Sequence, residues 1–392
     1  MKFSKARSAM ALTAAAAMVF GMSACGSNGS ANGSNDKTIE FWDPYPQYTD
    51  GAEWDRYVKD CAPDGYTIKR QGLTQNDVLN NLTTAVKADN APDVVLLDNP
   101  FMPTAVDSGL ITDLKDAGVK LTGFDKNIEG PGIVDGVQYG LAFGTNALGL
   151  YYNPQILESA GVDPESITDW DSLNAAIKKV VDSGKKGITF SGITGEEGVF
   201  QFLPWFWGAN GNLKKPESQA AKDAENLVSG WIQNGWAPKS ATTDNQSASW
   251  DLMLTGEFGF AENGSWQAKS ASEKGLKVIP IPSKDGGVAH VATGGEFATL
   301  PFHKTKNADK TKAAAEVINC LTSDKNLAKT NETMGYLAAK ESVRKEQVKE
   351  NDLWAPWVDS VENAQGRTTD VGLKYEDISA TLSKNLQAAL NK

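Results

Sequence analysis

The sequence predicts an α/β protein of two domains. Strand-length apolar runs alternate with helix-spaced apolar stripes between residues 38 and 97, the pattern of repeated β-α-β units around a parallel sheet. The alternation restarts near residue 170, and a chain of 392 residues is more than one hydrophobic core usually spans. Between the two runs lies 139–153, an apolar, β-compatible stretch that reads as a strand leaving one domain and entering the other. Gly140, Gly144 and Gly149 allow bends in it, and Asn146 is its one misplaced amide.

The chain starts with Lys2, Lys5 and Arg7, then a short apolar run over 9–20, then Ser23 and Ala24 before Cys25. Residues 1–24 therefore read as a secretory signal peptide, too short to span a bilayer. The order Met22-Ser-Ala-Cys25 resembles a bacterial lipoprotein processing box, which implies lipidation of Cys25. Residues 25–36 form a Gly/Ser/Asn-rich, lipid-anchored flexible tether. The expected location is the extracellular face of a cell membrane of Gram-positive type, with membrane contact through the N-terminal lipid only. Loss of the leader removes three basic residues and no acidic one, taking the formal charge from −11 to −14. That balance argues against nucleic acid as a partner. Cys61 and Cys320 either pair in an oxidising compartment or stay as buried thiols, and spacing alone leaves both open.

The body opens with a strand over 38–42, stopped by Pro44 and Pro46. A helix over 54–61, a strand over 66–70, a helix with its stripe at 78–86 and an all-apolar strand over 94–97 follow. In such sheets ligands sit beyond the carboxyl ends of the strands, here Trp42-Asp43, 72–75 and Asp98-Asn99. Past the central stretch come a helix over 170–181, a strand over 186–190 and a helix over 196–207. A helix around 224–232, a strand over 258–261 and a second extended crossing at 278–281 follow. Helices around 317–321 and 378–390 close the chain.

Trp54, Trp170 and Trp231 fall on the apolar stripes of their helices and read as core. Trp42 and Trp266 instead follow strands and adjoin Asp43, Glu262 and Asn263. A flat apolar face beside acceptors and amides is what the C–H side and the hydroxyls of a sugar need. Glu196 and Glu197 invite a glycosidase reading, but acidic residues at a helix start are favoured by the dipole, and adjacent carboxylates rarely flank a scissile bond. They read as ligand contacts, with Gln201 and Trp207 on the same helix completing that candidate group. Glu296 lies in a loop close to the expected cleft. His290 and His303 have no partners at metal-ligand spacing, and no phosphate loop or Gly-x-Ser-x-Gly elbow occurs, so no metal and no cofactor is expected.

Taken in order, the lipoprotein box, 39–42, 93–98, 139–153, 197–211, Asn263-Gly-Ser-Trp266 and Gly335-Tyr-Leu resemble the extracellular sugar-binding proteins of ATP-binding cassette importers, of the maltose-binding-protein type. The resemblance implies a two-lobe periplasmic-binding-protein-like fold (type II), with the lobes joined by crossing hinge strands and the sugar in the cleft. The implied lobes are 37–147 with 280–330, and 148–279 with 331–392. It carries the platform tryptophan onto Trp266, the polar residue of the first crossing onto Asn146, and a late aromatic position onto Trp354 or Trp357. It implies a monomer that captures a neutral di- to tetrasaccharide and hands it to the transmembrane subunits of a permease. The rival readings are a secreted glycoside hydrolase and an adhesion lipoprotein.

Overall fold

The structure, a computed structural model, describes residues 37–392. The expected signal peptide, Cys25 and the 25–36 tether lie outside the described residues. Among the described residues no helix is long and apolar enough to cross a membrane.

The strands are β1 (Thr38–Asp43), β2 (Thr67–Gly72), β3 (Val94–Asp98), β4 (Ile111–Thr112), β5 (Ile133–Val134), β6 (Val137–Gln138), β7 (Gly140–Ala142) and β8 (Leu148–Tyr152). They continue with β9 (Lys186–Thr189), β10 (Phe258–Gly264), β11 (Lys277–Ile279) and β12 (Glu296–Pro301). One sheet runs β2-β1-β3-β12-β4, with β7 also on β12; a second runs β11-β8-β10-β9. The first three strands are mutually parallel, as expected, but β12 enters antiparallel to β3. The second sheet is mixed, β10 pairing antiparallel with β8 and parallel with β9.

β3 makes the layering plain. Val94 and Leu96 face a core beneath helices Glu53–Lys59 and Ala308–Leu321, while Val95 and Leu97 face the opposite core. A strand covered on both faces has no polar side to spare, which is why its sequence is apolar throughout. The second core continues through Ala142, Ala147 and Leu148 into the other sheet, where helices Glu196–Gly208, Gln219–Gln233 and Tyr375–Leu390 pack together.

The stretch 139–153 forms two short strands, β7 in the first sheet and β8 in the second, with 143–147 crossing between them. The second crossing is not 278–281. β11 pairs with β8 inside the second sheet, and the chain returns instead at 292–296, where Asn146 N donates to Gly294 O and Gly294 N to Asn146 O. The implied lobe boundary after 330 also moves: Met334, Tyr336, Ala338 and Val343 pack in the first-sheet core. The cysteines pair. Cys61 and Cys320 form a disulfide with Cα atoms 5.5 Å apart, pinning the first helix to Ala308–Leu321.

Candidate functional site

Several candidates converge where the chain crosses between sheets. Glu296 and Asp98 are register partners on β12 and β3. The Glu296 carboxylate is buried and accepts from the Tyr45 and Tyr336 hydroxyls. Burial, and then the neighbouring Asp98 charge, push its pKa upward. The Asn146 side chain hydrogen-bonds the Tyr336 hydroxyl while its Oδ1 has no partner. Gly294 allows that approach, since a Cβ there would come within 1.8 Å of Asn146 Oδ1. Asn99 sits beside it, its Nδ2 donating to Gly295 O and its Oδ1 unpaired. Two buried amide oxygens without donors are costly unless a hydroxyl or water meets them.

From the second lobe, half-buried Trp266 stands 6.4 Å from the Phe200 ring, and Gly335 presses its backbone against the Trp266 Cα. Gly264 is obligatory beneath the indole, which a Cβ would strike at 2.0 Å. Glu196 starts helix Glu196–Gly208 and accepts from Arg367, the Tyr375 hydroxyl and Ser379. Glu197 points elsewhere, accepting from Gln246 N at 2.6 Å. The two carboxylates are therefore committed to different partners and do not oppose one another across a bond.

Other candidates are internal. Asp43 alternates onto the same face of β1 as Ile39 and Phe41, so it points into the core. There Arg70 holds both oxygens, at 2.5 and 2.7 Å, and Trp54 Nε1 and Tyr45 N donate to it as well. Its acceptor capacity is spent on bracing β1 to β2 and the first helix. Burial raises its pKa, with Arg70 opposing. Trp42 takes the opposite face and is half-buried against the core that runs into the second sheet.

The strand over 258–261 is longer than its apolar run suggests, and Glu262 and Asn263 belong to it. β10 continues to Gly264, paired with β8, and buries both. Asn263 is saturated by Gln246 O and Gly264 N. Glu262 accepts from Trp205 Nε1 at 2.9 Å, and burial pushes its pKa up to about 8, with the Trp205 bond pulling the other way. With Gln201 and Ser191 it lines an internal cavity of about 10 Å³ that has room for one water. Trp207 and Trp354 are core side chains, as is Trp357, which packs on Tyr151 at 5.5 Å.

Four residues of the cluster were not singled out from the sequence: Tyr45, Phe200, Tyr336 and Arg367. Tyr336 lies inside the Gly335-Tyr-Leu motif, and Phe200 on the helix that already held candidates. Arg367 sits in an aperiodic turn and gave no signal.

A family description, bacterial extracellular solute-binding protein, matches residues 55–356. The chain belongs to that family. Among relatives of this solute-binding protein, the maltodextrin-binding protein MdxE of Bacillus subtilis is 26% identical over 318 residues, 76% of this chain and 73% of that protein. The lactose-binding protein of Rhizobium radiobacter is 25% identical over 290 residues, 67% and 65% of the two chains. Maltose-bound MalE3 of T. maritima superposes with a TM-score of 0.73 at 18% identity, covering 90% of this chain and 99% of that one. The cyclic alpha-maltosyl-1,6-maltose binding protein of Arthrobacter globiformis gives 0.67 at 22%, covering 90% and 96%. The fold is thus the two-lobe type II arrangement expected from the sequence. The solute-binding protein is a binder and not an enzyme.

Proposed function

We propose that this solute-binding protein captures a neutral oligosaccharide between its lobes and delivers it to a membrane permease. The observation that carries the reading is the convergence on one crossing of an aromatic face, Trp266 with Phe200, and the unpaired amide oxygens of Asn99 and Asn146. Aromatic faces suit the C–H side of a pyranose, and donor-free amide oxygens suit its hydroxyls. Several relatives are named for the sugars they bind: maltodextrin, lactose and arabinooligosaccharide. Within this reading Trp266, Asn99, Asn146 and Glu296 contact the sugar, with Asp98 and Glu196 at its rim, and the crossings at 143–147 and 292–296 act as hinge. Cys25 carries the lipid that keeps the protein at the cell surface.

Calorimetry with maltose, maltotetraose, lactose and an arabinooligosaccharide, alongside intrinsic Trp fluorescence, tests the proposal. At least one sugar should bind, be recovered intact after prolonged incubation and quench or shift the emission. A second reading, a small polar non-sugar, is favoured by the likeness to UgpB of Mycobacterium tuberculosis in complex with glycerophosphocholine, which has a TM-score of 0.72 at 18% identity. Binding of glycerophosphocholine with silence from every sugar would replace the first reading by the second. Cys25→Ser should release the protein from cells into the medium if the lipid is its anchor.

A further inference from the structure

An arginine in a sugar cleft ordinarily signals an acidic ligand, because its fork matches a carboxylate or phosphate. Arg367 is placed otherwise. Its Nη2 donates to Asp98 Oδ1 at 2.7 Å, at the end of β3 in the first lobe. Its Nη1 donates to Glu196 Oε1 at 2.6 Å, at the start of a second-lobe helix. The guanidinium lies 5.0 Å from the centre of the Phe200 ring, within cation–π range. The side chain is 2% exposed, whereas those of Asp98 and Glu196 are 16% and 23% exposed. Burial alone would lower its pKa, but the two carboxylates hold it above the usual arginine value.

The backbone that carries Arg367 is itself tied to the hinge. Gln365 N donates to Val291 O and Thr293 N to Gln365 O, at 2.9 and 2.8 Å, fastening the segment to the returning crossing. Asn127 Nδ2, from the first lobe, donates to Val361 O at 2.9 Å just upstream. The guanidinium is therefore delivered from the hinge into the seam, with one terminal nitrogen on each lobe.

From this geometry we propose that Arg367 is a positioning residue that joins the two lobes across the cleft and sets how tightly an uncharged ligand is held. The proposal rests on the sugar-binding reading for its ligand and on Arg367 alone for its mechanism. If the lobes part, the guanidinium keeps at most one of its carboxylates, and the other loses a charge-assisted bond in a poorly hydrated seam. Closure is favoured accordingly. The same commitment settles which ligands are unwelcome: two carboxylates against one guanidinium leave the seam with a net negative charge, which repels a uronate or a phosphate even though Arg367 Nε has no partner of its own.

The test compares wild type with Arg367→Met, which keeps an apolar stem on Phe200, and with Arg367→Lys. Small-angle scattering of each protein without sugar, and titrations with maltotetraose, lactose and glucuronic acid, supply the readouts. Arg367→Met should increase the radius of gyration and weaken the sugar that wild type binds by tenfold or more. Arg367→Lys should recover part of both, because an ammonium holds one carboxylate at a time, and wild type should ignore glucuronic acid. Unchanged scattering and affinity in Arg367→Met would overturn the proposal. So would glucuronic acid binding that disappears with the arginine, which would make Arg367 an anion ligand. Should Arg367→Met fail to fold, Asp98→Ala, which removes the accepting oxygens, severs the first-lobe arm only and must expand the protein likewise. If wild type binds none of maltotetraose, lactose, maltose and the arabinooligosaccharide, the proposed function fails, while scattering of the sugar-free proteins still decides the role of Arg367.

Discussion

Glu262 should make the protein lose stability as pH rises through neutrality, and Glu262→Gln should reduce that loss. Burial raises the carboxyl from 4.5 to about 8 in the folded protein, with Trp205 its only opposing partner. The folded state therefore holds this proton more tightly than the unfolded chain. Its contribution is fully present below about pH 4.5, declines between there and about pH 8, and is absent above. Each pH unit in that window is worth at most about 1.4 kcal/mol, so pH 6 to 8 amounts to roughly 2.7 kcal/mol at the ceiling. Glutamine imitates the protonated acid: its oxygen still accepts from Trp205, and the amide nitrogen replaces Oε1, which has no partner. Urea midpoints followed by Trp fluorescence from pH 5 to 9 measure the slope. Glu296 titrates in the same direction, also pushed up to about 8, so the Glu262→Gln profile should keep that component and Glu262→Gln/Glu296→Gln should flatten further. A Glu262→Gln slope identical to wild type would show that the buried carboxyl is not the source.

Trp266→Ala should keep the fold and weaken sugar binding by about tenfold or more in calorimetry, since an aromatic anchor at a binding centre is typically worth over 1 kcal/mol. Gly294→Ala should also fold but bind poorly, because the new methyl displaces the Asn146 amide; crystallography of the variant would locate that amide. Arg70→Met strands the buried Asp43 carboxylate and should cost about 3–5 kcal/mol in urea unfolding. Reduction of the Cys61–Cys320 disulfide, whose cysteines are 259 positions apart, should lower stability by about 2–5 kcal/mol, read as a fall in Tm with reductant.

Much of the first lobe was legible because its strands are covered on both faces, leaving uninterrupted apolar runs at 94–97 and a clear 3.6-residue stripe at 78–86. The strand ends Asp98 and Asn99 were legible for the same reason, since a parallel sheet fixes where its open edge lies. Asp43 was misjudged because lying at a strand end does not say which face the side chain takes, and the two-residue period turned it inward toward Arg70 and Trp54. The strand over 258–261 reads as ending before Glu262 and Asn263 because polar residues beside a glycine usually mark a break. Only pairing with β8, from residues more than a hundred positions earlier, holds them in a strand. Arg367 was invisible for a related reason: its partners come from positions 98 and 196, and nothing local marks it.

The order in which the chain is made also matters. One interior strand of the first sheet, β12, comes from 296–301, after all four strands of the second sheet. The second lobe in turn waits for the last long helix, Tyr375–Leu390, which packs against two of its earlier helices. A chain emerging N-terminus first, and stopped anywhere before residue 296, therefore owns neither a finished first sheet nor a closed second core. Neither lobe is therefore complete until the last third of the chain has been made, and the two are obliged to finish folding together.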